Sequence, residues 1–170
     1  MSKAAESRAS APSSLSIHLL GPLRVSVDGI PIDEDCWARR KPKLFVKLLA
    51  LQPHHQLHRE QLMEFLWPDL DPEAASNNLH KSIHAARRAL EPELESGAGS
   101  HFILTREQQV VLSAPEKLWI DVEEFEQAAS HAFKSSEMRV CEKALVLYEG
   151  DLLPEDLYEE WVACAANSCG

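Results

Sequence analysis

The sequence predicts an α+β N-terminal unit, built from a small antiparallel sheet, three helices and a hairpin, followed by an all-α helical segment. Three observations predict it. Residues 15–32 alternate apolar and polar side chains at period two, broken by Gly21-Pro22 and Asp28-Gly29 turn signals. Residues 42–90 carry three runs of apolar residues at helical spacing, each followed closely by a proline. Residues 102–112 then return to two short β-rich runs, and helical spacing resumes at residue 121.

Each element has its local reason. Residues 1–14 are small and polar and are expected to form a flexible tail. In the sheet, Leu23, Val25 and Val27 alternate with Arg24 and Ser26, and Ile17 and Leu19 precede the first turn. Pro42 suits the first turn of a helix carrying Leu44, Phe45, Leu48 and Leu49, which Pro53 ends. A second short helix, about residues 59–66, puts Leu62, Phe65 and Leu66 on one side, and Trp67-Pro68 stops it. The third has the clearest start: Asp71 as cap, Pro72 at the first helical position and Glu73 at the positive end of the helix dipole. Its apolar stripe is Ala75, Leu79, Ile83, Ala86 and Leu90. A loop at residues 96–99 leads to strands at 102–105 and 110–112, joined by a four-residue connection, residues 106–109. Three helices followed by a hairpin is the layout of a winged helix-turn-helix, whose third helix can enter the major groove. Beyond it, Asp121 and Glu124 resemble a capping box for a helix carrying Val122, Phe125, Ala129 and Ala132. Further helices are expected around Val140, Ala144, Leu145 and Tyr148, and around Leu157, Trp161 and Ala165. The expected organisation is thus 1–14 tail, 15–115 DNA-binding unit and 116–170 helical segment.

The 170 residues carry 17 basic and 27 acidic side chains, a formal net of −10, and the imbalance is uneven. Residues 15–115 hold 11 basic and 13 acidic groups, whereas residues 116–170 hold four against 13. The acidic last third is unsuited to nucleic acid; the middle suits it if its cations share a face. A membrane span is not expected, since residues 44–51, the most apolar run, are interrupted by Lys47 and are far shorter than the roughly 20 residues a bilayer needs. Residues 1–14 lack the apolar core of a secretory signal, so a cytoplasmic location is expected, with Cys36, Cys141, Cys164 and Cys169 as free thiols.

The third helix carries the function. With Leu79, Ile83, Ala86 and Leu90 on the core side, the opposite face is Asn77, Lys81, His84 and Arg88, flanked by Asn78 and Ala85, and Ser82 and Arg87 are expected among the DNA-binding residues too. No acidic residue lies between Asn77 and Arg88, and Lys81, Arg87 and Arg88 give the span +3. Phosphates need such a local reversal of sign. Asn pairs with adenine, and Lys or Arg with the N7/O6 edge of guanine. Arg39, Arg40, Lys41, Lys43 and Lys47 around the start of the first helix, Arg87 on the third and Arg106 on the wing are expected to hold the DNA backbone. Basic residues at helical spacing also describe a plain solvated face; the surrounding layout tips the balance toward DNA.

The blocks "LLGPLRVSVDGIPI", "KPKLFVKLLALQPHHQLHREQLMEFLWPDLDPEAASNNLHKSIHAARRAL", "LWIDVEEFEQAA" and "KALVLYEGDLLPED" follow one another in order. Together they resemble the Streptomyces antibiotic regulatory protein type of activator, an OmpR-like winged helix followed by a bacterial transcriptional activator domain of tetratricopeptide-like helices. The resemblance implies that Pro72–Leu90 is the recognition helix and residues 102–112 the wing. It implies that residues 67–73, with Trp67, Asp69, Asp71 and Glu73, form a loop that contacts RNA polymerase. It also implies a homodimer through the C-terminal helices. The wing lacks a glycine-rich turn, and the "ACAANSCG" ending is shorter than the resemblance implies, so that Leu157 and Trp161 are expected to need a covering partner.

No cofactor or metal is expected. His54, His55 and His58 cluster, and His80 and His84 lie four apart, but no converging third ligand or H-E-x-x-H spacing accompanies them. No nucleophile elbow, P-loop or Rossmann glycine pattern is present, so an enzyme is not expected. The rival reading is a protein-interaction module acting through its acidic helices.

Overall fold

A computed structural model describes residues 12–37, 39–135, 142, 146–148 and 150–154. The chain opens with β1 (Ser14–His18), β2 (Arg24–Val27) and β3 (Ile30–Pro31). Leu15 and Ile17 point into the core, while Ser16 and His18 lie on the half-buried opposite face, as period two requires. Val27 pairs with Ile30, leaving Asp28 and Gly29 as a two-residue turn with φ of 49° and 79°. That left-handed pair suits Asp-Gly. Asp28 also holds the start of β1: its carboxylate accepts from the Ser14 amide at 2.7 Å and from both serine hydroxyls. Ser13 and Ser14, expected in the tail, are therefore fixed; residues 1–11 lie outside the described residues.

The helices follow as α1 (Arg40–Leu51), α2 (Arg59–Leu66) and α3 (Pro72–Leu90), with β4 (Gln56–His58) between α1 and α2. From Leu44 to Leu51 every residue of α1 is buried, because α1 packs against α3, α2 and a wing strand at once. Lys47, expected at the DNA backbone, lies within that run and is only 2% exposed, so packing withdraws it from such a contact. His58 caps α2, its Nδ1 accepting from the Glu60 amide while Gln61 accepts from the His58 amide.

The wing is β5 (Ile103–Arg106) and β6 (Gln109–Leu112), with β4 added in the order β4-β6-β5. Arg106 pairs with Gln109, so only Glu107 and Gln108 make the turn, two residues rather than the expected four. Glu107 takes φ of 53°, and the Gln108 carbonyl accepts from the Arg59 amide at 2.8 Å, which pins the turn against α2. The third strand, β4, is too short to have shown an alternating pattern.

The expected helical segment from residue 116 begins differently. Lys117–Ile120 forms β7, which pairs in parallel with β1 and completes a mixed sheet, β3-β2-β1-β7. A parallel partner needs a long crossover, and here the helices and the wing supply it. Then α4 (Asp121–Ser135) starts, with Val122, Phe125 and Ala129 half-buried. Instead of the expected box with Glu124, the Asp121 carboxylate is 1% exposed and accepts from the amides of Leu19, Leu20 and Val122. The segment 151–153 returns to the same edge: Gly21 donates to the Asp151 carbonyl at 3.0 Å, Leu153 donates to that of Leu19 at 2.9 Å, and the Leu153 side chain is buried. Of the helix expected around Val140, Ala144, Leu145 and Tyr148, the described residues Glu142, Val146 and Leu147 are helical, and the Tyr148 ring centre lies 5.9 Å from that of Phe125. Val140, Ala144 and Leu145, and the helix expected around Leu157, Trp161 and Ala165, lie outside the described residues. Among the described residues, no helix is long and apolar enough to cross a membrane.

Candidate nucleic-acid interface

The interface is built on α3. Asp71 caps it, its Oδ1 accepting from the Glu73 and Ala74 amides at 3.1 and 3.0 Å. Ala75, Leu79, Ile83, Ala86 and Leu90 are all buried, as their spacing predicts. Burying a leucine or isoleucine stabilises by about 1.5–3 kcal/mol, so the apolar back anchors the helix to α1 and α2. What remains outside is a stripe of Asn77, His80, Lys81, His84 and Arg88, all exposed, with Asn78 and Ala85 half-buried along one flank. His80 joins the face expected from the sequence, since it stands one turn before His84. The stripe is long, cationic and free of carboxylates between Asn77 and Arg88.

Two residues expected to bind DNA do not lie on this exposed stripe. Ser82 is only 6% exposed, on the flank toward α1. Arg87 donates from Nε and Nη2 to the Ile103 carbonyl at 3.0 and 2.8 Å, and from Nη2 to Thr105 Oγ1 at 3.1 Å. Burial pushes its guanidinium below the usual arginine range, against a smaller opposing effect of Glu91. Arg87 thus fastens the wing to α3 instead of reaching toward a phosphate. Glu91, just past α3 and 5% exposed, makes a parallel fastening by accepting from Ser100 Oγ, from the His101 amide at 3.0 Å and from His101 Nδ1 at 2.6 Å.

The expected backbone contacts divide as well. Arg39, the residue preceding α1, is exposed, and Arg40 and Arg106 are exposed. Lys43 is ion-paired with Glu34, which draws its charge toward the single helical turn at Glu34–Cys36. Lys41, half-buried, donates to the Leu66 carbonyl at 2.6 Å and sits 5.9 Å from the centre of the Trp67 ring. The cation is legible in the sequence, but its meeting with the tryptophan that ends α2 is tertiary. Between the start of α1, Trp67 and α3 lies a cavity of 350 Å³ to which Arg39, Lys41 and Lys81 all contribute.

In the loop from α2 to α3, Trp67 is half-buried, whereas Asp69, Leu70 and Glu73 are exposed. Asp71 is engaged as the cap of α3. Among the described residues there is no group of three or more metal-ligating side chains, and His55 instead spans the Ala50 carbonyl and Glu123 Oε1 of α4, at 3.2 Å each. Cys36 is a free, exposed thiol.

No family profile matches this sequence, and no curated protein does. Among solved structures, Mycobacterium tuberculosis EmbR in complex with low affinity phosphopeptide resembles it with a TM-score of 0.65 at 20% identity. The match covers 91% of this chain and 42% of that one, so the chain spans less than half the length of the structure it matches. The two share a fold, a mixed α+β arrangement of small sheets and helices.

Proposed function

We propose that the chain is a sequence-specific, double-stranded-DNA-binding transcriptional regulator of the OmpR-like winged-helix type, and not an enzyme. The observation that carries this reading is the exposed stripe on α3: Asn77, Lys81, His84 and Arg88 stand out from a helix whose apolar back is fixed to α1 and α2. Asn77 and Arg88 offer the hydrogen-bonding groups that read base edges in the major groove, and Lys81 between them meets base edges or nearby phosphates. The cations lie on this face although the chain as a whole carries −10. Asp69, Leu70 and Glu73 are offered to RNA polymerase by the loop ahead of α3, and the reading places the protein in the cytoplasm as an activator. A tetratricopeptide-like C-terminal segment and a homodimer through it belong to the same reading.

The test is selection of bound duplexes from a random pool, followed by a gel shift with the Lys81→Glu, Arg88→Glu double variant. The reading expects one enriched sequence and loss of its retardation by the variant. Unchanged affinity in the variant would remove α3 from the interface.

A protein-interaction module is the second reading, favoured by the exposed Glu123, Glu124 and Glu126 on α4. Salt separates the two, because phosphate contacts release counterions and weaken steeply between 50 and 200 mM (about 10³-fold or more for six contacts), whereas apolar docking barely responds.

A further inference from the structure

The cavity between the start of α1, Trp67 and α3 combines features of an anion site. Arg39, Lys41 and Lys81 bring three cations to it, and none of its lining residues is acidic. Lys41 is held in place by the Leu66 carbonyl and lies beside the Trp67 ring. Arg39 and Lys81 have no ion-pair or hydrogen-bond partner among the described residues. Asn78 and Ser82 add an amide and a hydroxyl to the wall.

Ser82 is the independent sign. Its side chain is nine-tenths buried, yet its hydroxyl has no hydrogen-bond partner among the described residues. A buried hydroxyl without a partner is costly, and native structures rarely leave one without a ligand or water to satisfy it. Here it lines a cavity where three cations meet and no described lining residue is acidic. An anionic oxygen would accept from Ser82 and from Asn78 while offsetting part of the charge of the lysines and the arginine.

Resting on the DNA-binding reading, we infer that this cavity receives one phosphate of the DNA backbone, held by Arg39, Lys41 and Lys81 and hydrogen-bonded by Ser82. The site joins the start of α1 to the middle of α3, so a phosphate seated there fixes how far α3 enters the groove. Such a contact positions without reading sequence. Removing it therefore weakens the selected duplex and a scrambled duplex alike.

The full chain and its selected duplex test this. In the Arg39→Gln, Lys41→Gln double variant, affinity for both duplexes is expected to fall about 10-fold, and the slope of log K against log salt to shrink by about 1. A duplex carrying a single methylphosphonate at the contacted position is expected to reproduce the loss with the native chain and to add nothing with the variant. Thermal unfolding checks the variant's fold; if Lys41→Gln lowers it, Arg39→Gln alone carries the same test. Retention of both affinity and salt slope overturns the proposal while leaving the DNA reading intact. If no duplex binds at all, the DNA reading fails, and inorganic phosphate decides the cavity. Amide shifts at Asn78 and Ser82 with phosphate, absent with chloride at equal ionic strength, keep it as a site for free phosphate; their absence overturns it.

Discussion

Arg87 of α3 grips the carbonyl oxygen of Ile103 in β5 with two nitrogens, Nε at 3.0 Å and Nη2 at 2.8 Å. The bond joins α3 to the β5-β6 hairpin through a group that cannot lose its proton at any ordinary pH, and its planar fork fits the geometry in a way a lysine cannot. Glu91 makes the second joint, one turn further along the chain, through Ser100 and His101.

Arg87→Ala is expected to lower unfolding stability by about 1.5–3 kcal/mol, the range for hydrogen bonds to a charged group. Arg87→Lys should recover only a minor part, lacking the second parallel donor. Urea denaturation measures both. Amide exchange should quicken in β5 and β6 more than in β1, and equal exchange in all three strands would show that the wing is held by other contacts.

Asp121 joins the two halves of the chain. One buried carboxylate accepts from Leu19 at 2.8 Å, Leu20 at 2.9 Å and Val122 at 2.8 Å, so that the start of α4 is stitched to the end of β1. Asp121→Ala leaves three amides short of their acceptor and is expected to cost about 3 kcal/mol. Asp121→Asn keeps the shape but turns an NH₂ toward N–H donors, and should cost roughly half as much by the same reasoning. A thermal midpoint unaltered in both variants would mean that water replaces the carboxylate without loss.

Asp28 gives a pH dependence with a definite sign. Hydrogen bonds from the Ser14 amide, then the Ser14 hydroxyl and the Ser13 groups, hold its carboxyl below the ordinary aspartate value. A carboxyl depressed in the folded state binds its proton more readily when unfolded. Its contribution is present above the unfolded value, about 3.9, and is lost as pH falls through the lower folded value. The acid limb of the stability curve is therefore expected to be shallower in Asp28→Asn than in the native chain. Parallel limbs in acid titrations of the two would dissociate Asp28 from acid unfolding.

The parts of the fold that the sequence made legible are those fixed by neighbours along the chain. The Asp71-Pro72 start of α3 and its stripe from Ala75 to Leu90 depend on spacing alone, and they stand where spacing puts them. The pairing of β7 with β1 depends on residues about 100 positions apart, and no local pattern announces it. Asp121 shows the same limit: its position suggests a cap, but the amides of Leu19 and Leu20 that take it belong to another element. Within the candidate site, Ser82 and Arg87 were the ambiguous members. At about 100° per residue, Ser82 lies roughly 60° from Leu79 and Arg87 roughly 40° from Ile83, close enough to the core side that tertiary partners decide. For Arg87 those partners are Ile103 and Thr105; for Ser82 it is the packing of α1.

Arg88 is the neighbour of Arg87 and is expected to behave in the opposite way. It is exposed at the end of the cationic stripe and has no partner among the described residues. Substitutions at such positions usually change stability by no more than about 0.5 kcal/mol. If Arg88 meets a base edge, Arg88→Ala should cost about 1–3 kcal/mol of specific binding, which is about 5- to 150-fold in affinity. The loss should be concentrated at the bases it reads, and smaller on scrambled duplex. Fluorescence anisotropy with both duplexes measures the ratio. Arg87→Ala, by contrast, should weaken stability first and binding only through it. A pair of variants in which Arg88→Ala destabilises the fold and Arg87→Ala selectively erases sequence preference would reverse the assignment of the two arginines.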